Sequence, residues 1–159
     1  MTVLAKGELA PDFSLPTDKG TIFTLSAERG HPVVLFFYPQ DDTEGCTIEN
    51  QEFTALAPEF AARGAKLVGV SPDSVEKHCK FRDKYGLGVD LVSDPELLAV
   101  RGYGLWQMKT LYGREYEGLV RTSFLIDAEG RIAEIVKATR IKGHAAKMLA
   151  ALDALVGKG

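Results

Sequence analysis

Apolar positions along this chain gather into short unbroken blocks that alternate with helical stripes. Val33 to Tyr38 is a run of β-branched, apolar and aromatic residues without alternation, followed by Pro39; it predicts a strand buried on both faces. Lys66-Leu-Val-Gly-Val-Ser71 predicts a second buried strand and Leu91-Val92 a third, shorter one. Phe13 and Leu15 are separated from Ile22, Phe23 and Leu25 by Asp18-Lys19-Gly20, which predicts a strand pair turning at Lys19-Gly20. Ser26 to Gly30 reads as a short helical turn closed by glycine. Val120 to Asp127 and Arg131 to Ala138 predict a hairpin across the tight turn Ala128-Glu-Gly130.

The helical stretches have a different period. From Thr43 to Gly64, Phe53, Leu56 and Phe60 share one stripe, and Pro58 predicts a kink or a break into two pieces. Asp73 with Glu76 resembles a capping box and opens a helix from about Ser74 to Tyr85. Asp94-Pro95-Glu96 opens another, to about Arg101. Ala145, Met148, Leu149, Leu152, Leu155 and Val156 make one apolar face of a closing helix over residues 141–156. Gly102 to Gly118, with Tyr103, Trp106, Tyr112 and Tyr116, predicts a long ordered loop. Strand and helix alternate and then give way to a hairpin and a helix. This order implies a single three-layer α/β domain over residues 1–159, with a mixed central β-sheet flanked by helices.

Composition narrows the function classes. A net charge of −3, with no basic block or stripe, argues against nucleic acid as the main partner. No apolar run approaches the roughly 20 residues needed to span a bilayer. The first residues match neither a signal nor a transit peptide, so a cytoplasmic protein is expected. Two cysteines make no disulfide framework, and His31, His78 and His144 lack metal-ligand spacing. His78 beside Cys79 is a weak metal signal, because adjacent helical residues point in different directions. Neither a metal nor a cofactor is expected.

The candidate chemistry lies where the first buried strand ends. Pro39 stops the strand, Gln40 to Glu44 turn the chain, and Thr43 is placed to cap a helix whose third residue is Cys46. Unpaired backbone N–H groups and the positive end of the macrodipole favour thiolate over thiol at such a position. Open α/β sheets also bind ligands at strand C-termini. The bland alternative is a small buried hydrophobe, as most free cysteines are. Polar or small neighbours (Glu44, Gly45, Thr47) weigh against it.

Pro39-x-x-x-Thr43-x-x-Cys46 matches the P-x-x-x-T-x-x-C motif of peroxiredoxins, and F-Y-P-Q-D-D-T-E-G-C-T-I-E resembles the bacterioferritin-comigratory-protein or PrxQ branch. Matching blocks run along nearly the whole chain: A-P-D-F, V-S-P-D-S at 70–74, L-V-S-D at 91–94 and V-R-T-S-F-L-I-D at 120–127. The resemblance implies a thioredoxin-like fold and thiol-dependent reduction of hydrogen peroxide and organic hydroperoxides. It makes Cys46 the peroxidatic nucleophile and gives Thr43 a hydrogen bond to the sulfur and to a peroxide oxygen. Arg121 supplies fixed positive charge, Pro39 shields the centre from water, and Glu49 orients the arginine. Gln40 and Glu44 stand where many relatives have lysine and proline, and an acidic Glu44 opposes the thiolate slightly.

The resemblance also implies that Cys46 sulfenic acid is recycled by a thiol, ultimately thioredoxin or a similar dithiol. Relatives carry a resolving cysteine five or thirty-six residues after the peroxidatic one; here those positions are Gln51 and Arg82. Cys79 lies one helical turn before Arg82 and is the internal candidate, against a single-cysteine cycle with an external thiol. The chain is expected to be a monomer, or at most a weak dimer. Two rivals remain: a thioredoxin-like disulfide reductase, which normally needs C-x-x-C where this chain has Cys46 followed by Glu49 in third place, and a non-enzymatic holdase or binding module.

Overall fold

The computed structural model describes residues 4–157. Its centre is one five-stranded sheet in the order β5-β4-β3-β8-β9. Here β3 is Val33–Phe37, β4 Lys66–Ser71, β5 Asp90–Ser93, β8 Thr122–Ile126 and β9 Ile132–Lys137. β3, β4 and β5 are parallel, while β8 runs antiparallel to both β3 and β9. β3 is central and covered on both faces, which is why its five residues are all apolar and all buried.

One face carries α1 (Glu44–Ala62), α2 (Val75–Tyr85) and α4 (His144–Val156) over Val34, Phe36, Tyr38, Leu91 and Leu125. The other is covered by the antiparallel pair β1 (Ser14–Pro16) and β2 (Ile22–Thr24), a 3-10 turn at Leu25–Glu28, α3 (Leu98–Gly102) and Tyr103. Gly69 in β4 leaves room for Phe36, because a Cβ there would lie 2.7 Å from its ring. The three-layer α/β reading holds, and no described helix is long and apolar enough to cross a membrane.

Four sequence expectations are corrected. Residues 102–118 are not a loop: β6 (Trp106–Leu111) and β7 (Arg114–Leu119) pair in a separate antiparallel hairpin. Its two-residue turn, Tyr112-Gly113, has positive φ at both positions (52° and 75°), the geometry that matches strand twist. α2 is capped by Ser74, whose hydroxyl accepts from the Lys77 N–H at 3.1 Å, and not by Asp73. α1 runs unbroken past Pro58. The last two helices start later than expected, at Leu98 and His144. Asp94 accepts from the Leu98 and Val100 N–H groups at 2.8 and 2.9 Å, and Gly143 precedes α4 at φ 87°.

The segment between β3 and α1 is moored to α2. The Asp41 carboxylate, buried, accepts from the Tyr38 hydroxyl at 2.7 Å and lies 2.6 Å from His78 Nδ1. His78 Nε2 is 3.0 Å from the Val92 carbonyl, so both ring nitrogens are engaged and the ring is fixed. The Asp41 N–H donates to Asp73 at 2.7 Å. Asp42 next to it sits at φ 61° and accepts from Lys84 Nζ and the Tyr85 hydroxyl at 2.8 and 2.7 Å. A non-glycine residue there costs of order 1 kcal/mol, which these contacts offset. Replacing His78 by leucine removes one partner of a buried carboxylate, so His78→Leu is expected to lose on the order of 3–5 kcal/mol in urea unfolding. Lys84→Ala, on the exposed, solvent-screened side of the mooring, is expected to lose far less than His78→Leu. Equal small losses in both variants would contradict a buried anchor.

Candidate active site

Two elements bring the site together. Cys46 is the third residue of α1, and the helix aims its first turn at the C-terminal end of β3. The β3–β8 register pairs Phe37 with Thr122, so Arg121, one residue earlier, emerges beside the end of β3. There one guanidinium nitrogen donates to Cys46 Sγ at 3.3 Å and the other to Glu49 Oε1 at 2.5 Å. Glu49 and Cys46 are one helical turn apart on α1, which lets one planar fork reach both. Cys46 and Glu49 are buried at 0% and 1% exposure, so the pairing operates in a medium where charge is poorly screened.

The first turn of α1 is left open. Thr43 occupies the N-cap position but makes no side-chain cap bond; its hydroxyl instead donates to the Gln40 carbonyl at 2.9 Å. The N–H groups of the first turn are therefore not consumed by the side chain meant to cap them. Thr43 Oγ1 makes no hydrogen bond to Cys46 Sγ, and the hydroxyl oxygen keeps its lone pairs. Pro39, partly buried, begins the turn that leads to Thr43. Gly45 is needed for close approach: a Cβ there would lie 2.7 Å from Ile141 Cδ1 and 3.4 Å from Arg121.

Burial pushes the Glu49 carboxyl up to about 7, against the opposing pull of Arg121. Its second oxygen, Oε2, is buried without a hydrogen-bond partner, as is Asn50 Oδ1. The Asn50 amide donates back to the Cys46 carbonyl at 2.9 Å. Lys109, on β6, is held below the usual lysine range by burial and then by Arg121, while Cys46 pulls the other way. The hairpin thus reaches the electrostatic field of the site.

Cys79 is elsewhere. Its thiol donates to the Asp18 carbonyl at 3.3 Å, in the β1–β2 turn. Thr17, beside Asp18, bridges Val92 on the outer edge of β5. Cys79 therefore faces the outer edge of the sheet, whereas Cys46 lies toward β3 and β8. Arg82 is also committed there, paired with the Asp18 carboxylate and donating to the Leu87 and Val89 carbonyls. The structure brings Cys46, Arg121 and Glu49 into contact, and sequence reasoning missed Asp41 and His78 as the support of the turn. The consecutive acids after Pro39 were the available signal, but nothing local pointed to a partner 37 residues away. Asp41, Asp73 and His78 place ligand-type atoms within 4.8 Å of one another. Tyr38, Ser71, Lys77, Val92 and the Asp41 N–H already engage those atoms, so the donor set is that of a hydrogen-bond network.

Comparison with known proteins agrees with this geometry. The AhpC/TSA family model matches residues 6–135. A peroxiredoxin Bcp from Xanthomonas campestris pv. campestris is 42% identical over 90% of this chain and 89% of its own. A peroxiredoxin Bcp from Bacillus subtilis is 41% identical over 92% and 93%. Among solved structures, a Xanthomonas campestris bacterioferritin comigratory protein studied for alkyl peroxide reduction superposes with a TM-score of 0.86 at 40% identity, covering 91% of this chain and 92% of that one. A cysteine-to-serine mutant of Xylella fastidiosa PrxQ gives 0.91 at 33% identity, covering 98% and 99%. The element order, the Cys46–Arg121–Glu49 cluster and these likenesses converge: the chain belongs to the AhpC/TSA family of peroxiredoxins, in its Bcp/PrxQ branch.

Proposed function

We propose that Cys46 is the peroxidatic nucleophile of this thiol-dependent peroxidase, with Arg121 and the first turn of α1 as its oxygen-binding elements. The observation that carries the reading is the 3.3 Å contact between the Arg121 guanidinium and Cys46 Sγ at an uncapped helix N-terminus. The Cys46 thiolate attacks one peroxide oxygen, the O–O bond breaks, and the other oxygen leaves, takes a proton and departs as water or alcohol. Arg121 and the N–H groups of the first turn oppose the negative charge that moves onto the leaving oxygen. Thr43 offers its hydroxyl oxygen to the incoming peroxide O–H, and Pro39 keeps water from the thiolate. Glu49 fixes the fork of Arg121. A thiol then condenses with the Cys46 sulfenic acid and releases water.

That thiol is external in this reading, and the chain works in the cytoplasm with a thioredoxin-type reductant. The Cys79 thiol is engaged with the Asp18 carbonyl in the β1–β2 turn, and a bond to Cys46 needs Cα atoms within about 7 Å. After one equivalent of peroxide without reductant, intact mass is expected to show one added oxygen in both wild type and Cys79→Ser. A loss of two hydrogens confined to the wild-type monomer would instead assign Cys79 as the resolving thiol.

Cys46→Ser is expected to consume no hydrogen peroxide with dithiothreitol, and Arg121→Gln to lower the second-order rate with peroxide about 10²–10³-fold, the usual cost of losing one such donor. Full activity in either variant would remove the proposal, and insulin reduction without peroxide would favour a disulfide reductase.

Glu49 adds a pH dependence. Its carboxyl holds a proton more tightly folded (about 7) than at its ordinary value of 4.5, so the folded state carries the extra proton between these limits. The stability this contributes is complete below the lower value and is lost as pH rises toward the upper. Relative to Glu49→Gln, the wild type is expected to lose on the order of 3 kcal/mol in urea unfolding across this window. Parallel pH curves for the two proteins would show that Glu49 is ionised throughout.

A further inference from the structure

In a chain that shows no long basic block, one short segment carries positive charge alone. Residues 137–147 hold Lys137, Arg140, Lys142 and Lys147 and no carboxylate, in a chain of net charge −3. These four side chains are exposed and line one cavity of about 140 Å³ between the end of β9 and the start of α4. None of them forms an ion pair among the described residues. The acidic group that reaches the segment is Glu52 of α1, whose carboxylate accepts from the Gly143 N–H at 2.9 Å. His144 adds no charge near neutral pH, since burial, then Lys147 and Arg121, lower it to about 4.

The location gives this charge a purpose. Ile141, in the middle of the segment, covers Gly45 next to the nucleophile, and the Ala138 N–H donates to the Arg121 carbonyl at 3.0 Å. The cations therefore rim the surface beside the first turn of α1 and Arg121, next to a cysteine that is itself fully buried. An external thiol that approaches Cys46 from this side meets them first. We propose that the segment from Lys137 to Lys147 is the docking surface for an acidic dithiol protein that reduces oxidised Cys46, an inference that rests on the peroxidase cycle above.

The chemistry closes without a further reagent. The first thiol of the docked protein attacks the Cys46 sulfenic sulfur, forming a mixed disulfide as the hydroxyl takes a proton and leaves as water. Its second thiol then attacks the partner sulfur of that disulfide, releasing Cys46 as the thiol and leaving the reductant oxidised by two electrons. Positive charge at the rim raises the encounter rate with an acidic partner by up to about 10–10³-fold at low ionic strength, and salt screens the effect.

The test compares wild type with the fourfold variant Lys137→Gln, Arg140→Gln, Lys142→Gln, Lys147→Gln, using reduced thioredoxin of net negative charge, dithiothreitol and glutathione as donors. At low ionic strength the variant is expected to lose at least tenfold in kcat/KM for thioredoxin. The difference is expected to close at high salt, and the rates with dithiothreitol and with peroxide to stay unchanged. Equal thioredoxin rates in both proteins, or a wild type that turns over with dithiothreitol but not thioredoxin, would overturn the docking surface. So would an equal loss with glutathione, which would mark a subsite for small anionic thiols. Absence of turnover with every donor would instead strike the peroxidase reading itself.

Discussion

The Arg121 guanidinium, shared between Cys46 and Glu49, is the interaction on which the rest of the site depends. Among the described residues it is the one cation in hydrogen-bonding contact with the sulfur, and it comes from a different layer of the fold than the sulfur does. Cys46 and Glu49 belong to a helix, whereas Arg121 is the residue that leads into β8 of the sheet. Their meeting rests on the β3–β8 register, because a shift of one residue would turn Arg121 to the opposite face. The tightly filled core around β3 therefore has a chemical consequence. Phe36 stacks on Phe53 of α1 at 4.2 Å between centroids and Phe37 meets Phe124 of β8 edge to face, so the helix and the strand that supply the site are referenced to the same buried strand.

The second constraint is the support of the turn. Pro39 and Thr43 flank two acids that bind α2 in different ways, Asp41 in the interior and Asp42 at the surface. The buried contact is insulated from salt and the exposed one is not. With the left-handed backbone at Asp42, this places the turn under local tension that the fold holds from one side.

Much of this was legible in the chain. The buried strands announce themselves by unbroken apolar runs, and Cys46 by its place after a strand-ending proline. Its partner Arg121 is visible through family resemblance alone, since no local pattern links two residues 75 positions apart. The β6–β7 hairpin was hidden because its residues are mostly exposed, so apolar and polar positions do not alternate cleanly, and Tyr112-Gly113 lacks the usual Asn or Asp of a tight turn. Ser74 was passed over for Asp73 because both precede the helix with acids nearby; Asp73 is instead occupied by Ser71 and Lys77. Pro58 fell at an exposed position late in α1, where the cost of one lost backbone bond is borne by Phe53 and Phe60 in the core.

Helix α2 carries a structural load at the edge of the sheet away from the site. Arg82 is partly buried and holds the β1–β2 turn and the segment after α2 together through Asp18, Leu87 and Val89. These four hydrogen bonds tie this end of α2 to its neighbours. Cys79 is drawn into the same arrangement through Asp18. In the external-thiol cycle proposed above, the side beside Ile141 and Arg121 is the approach to Cys46. The cations on that side form no ion pairs among the described residues, which is the charge pattern the proposed acidic reductant would meet.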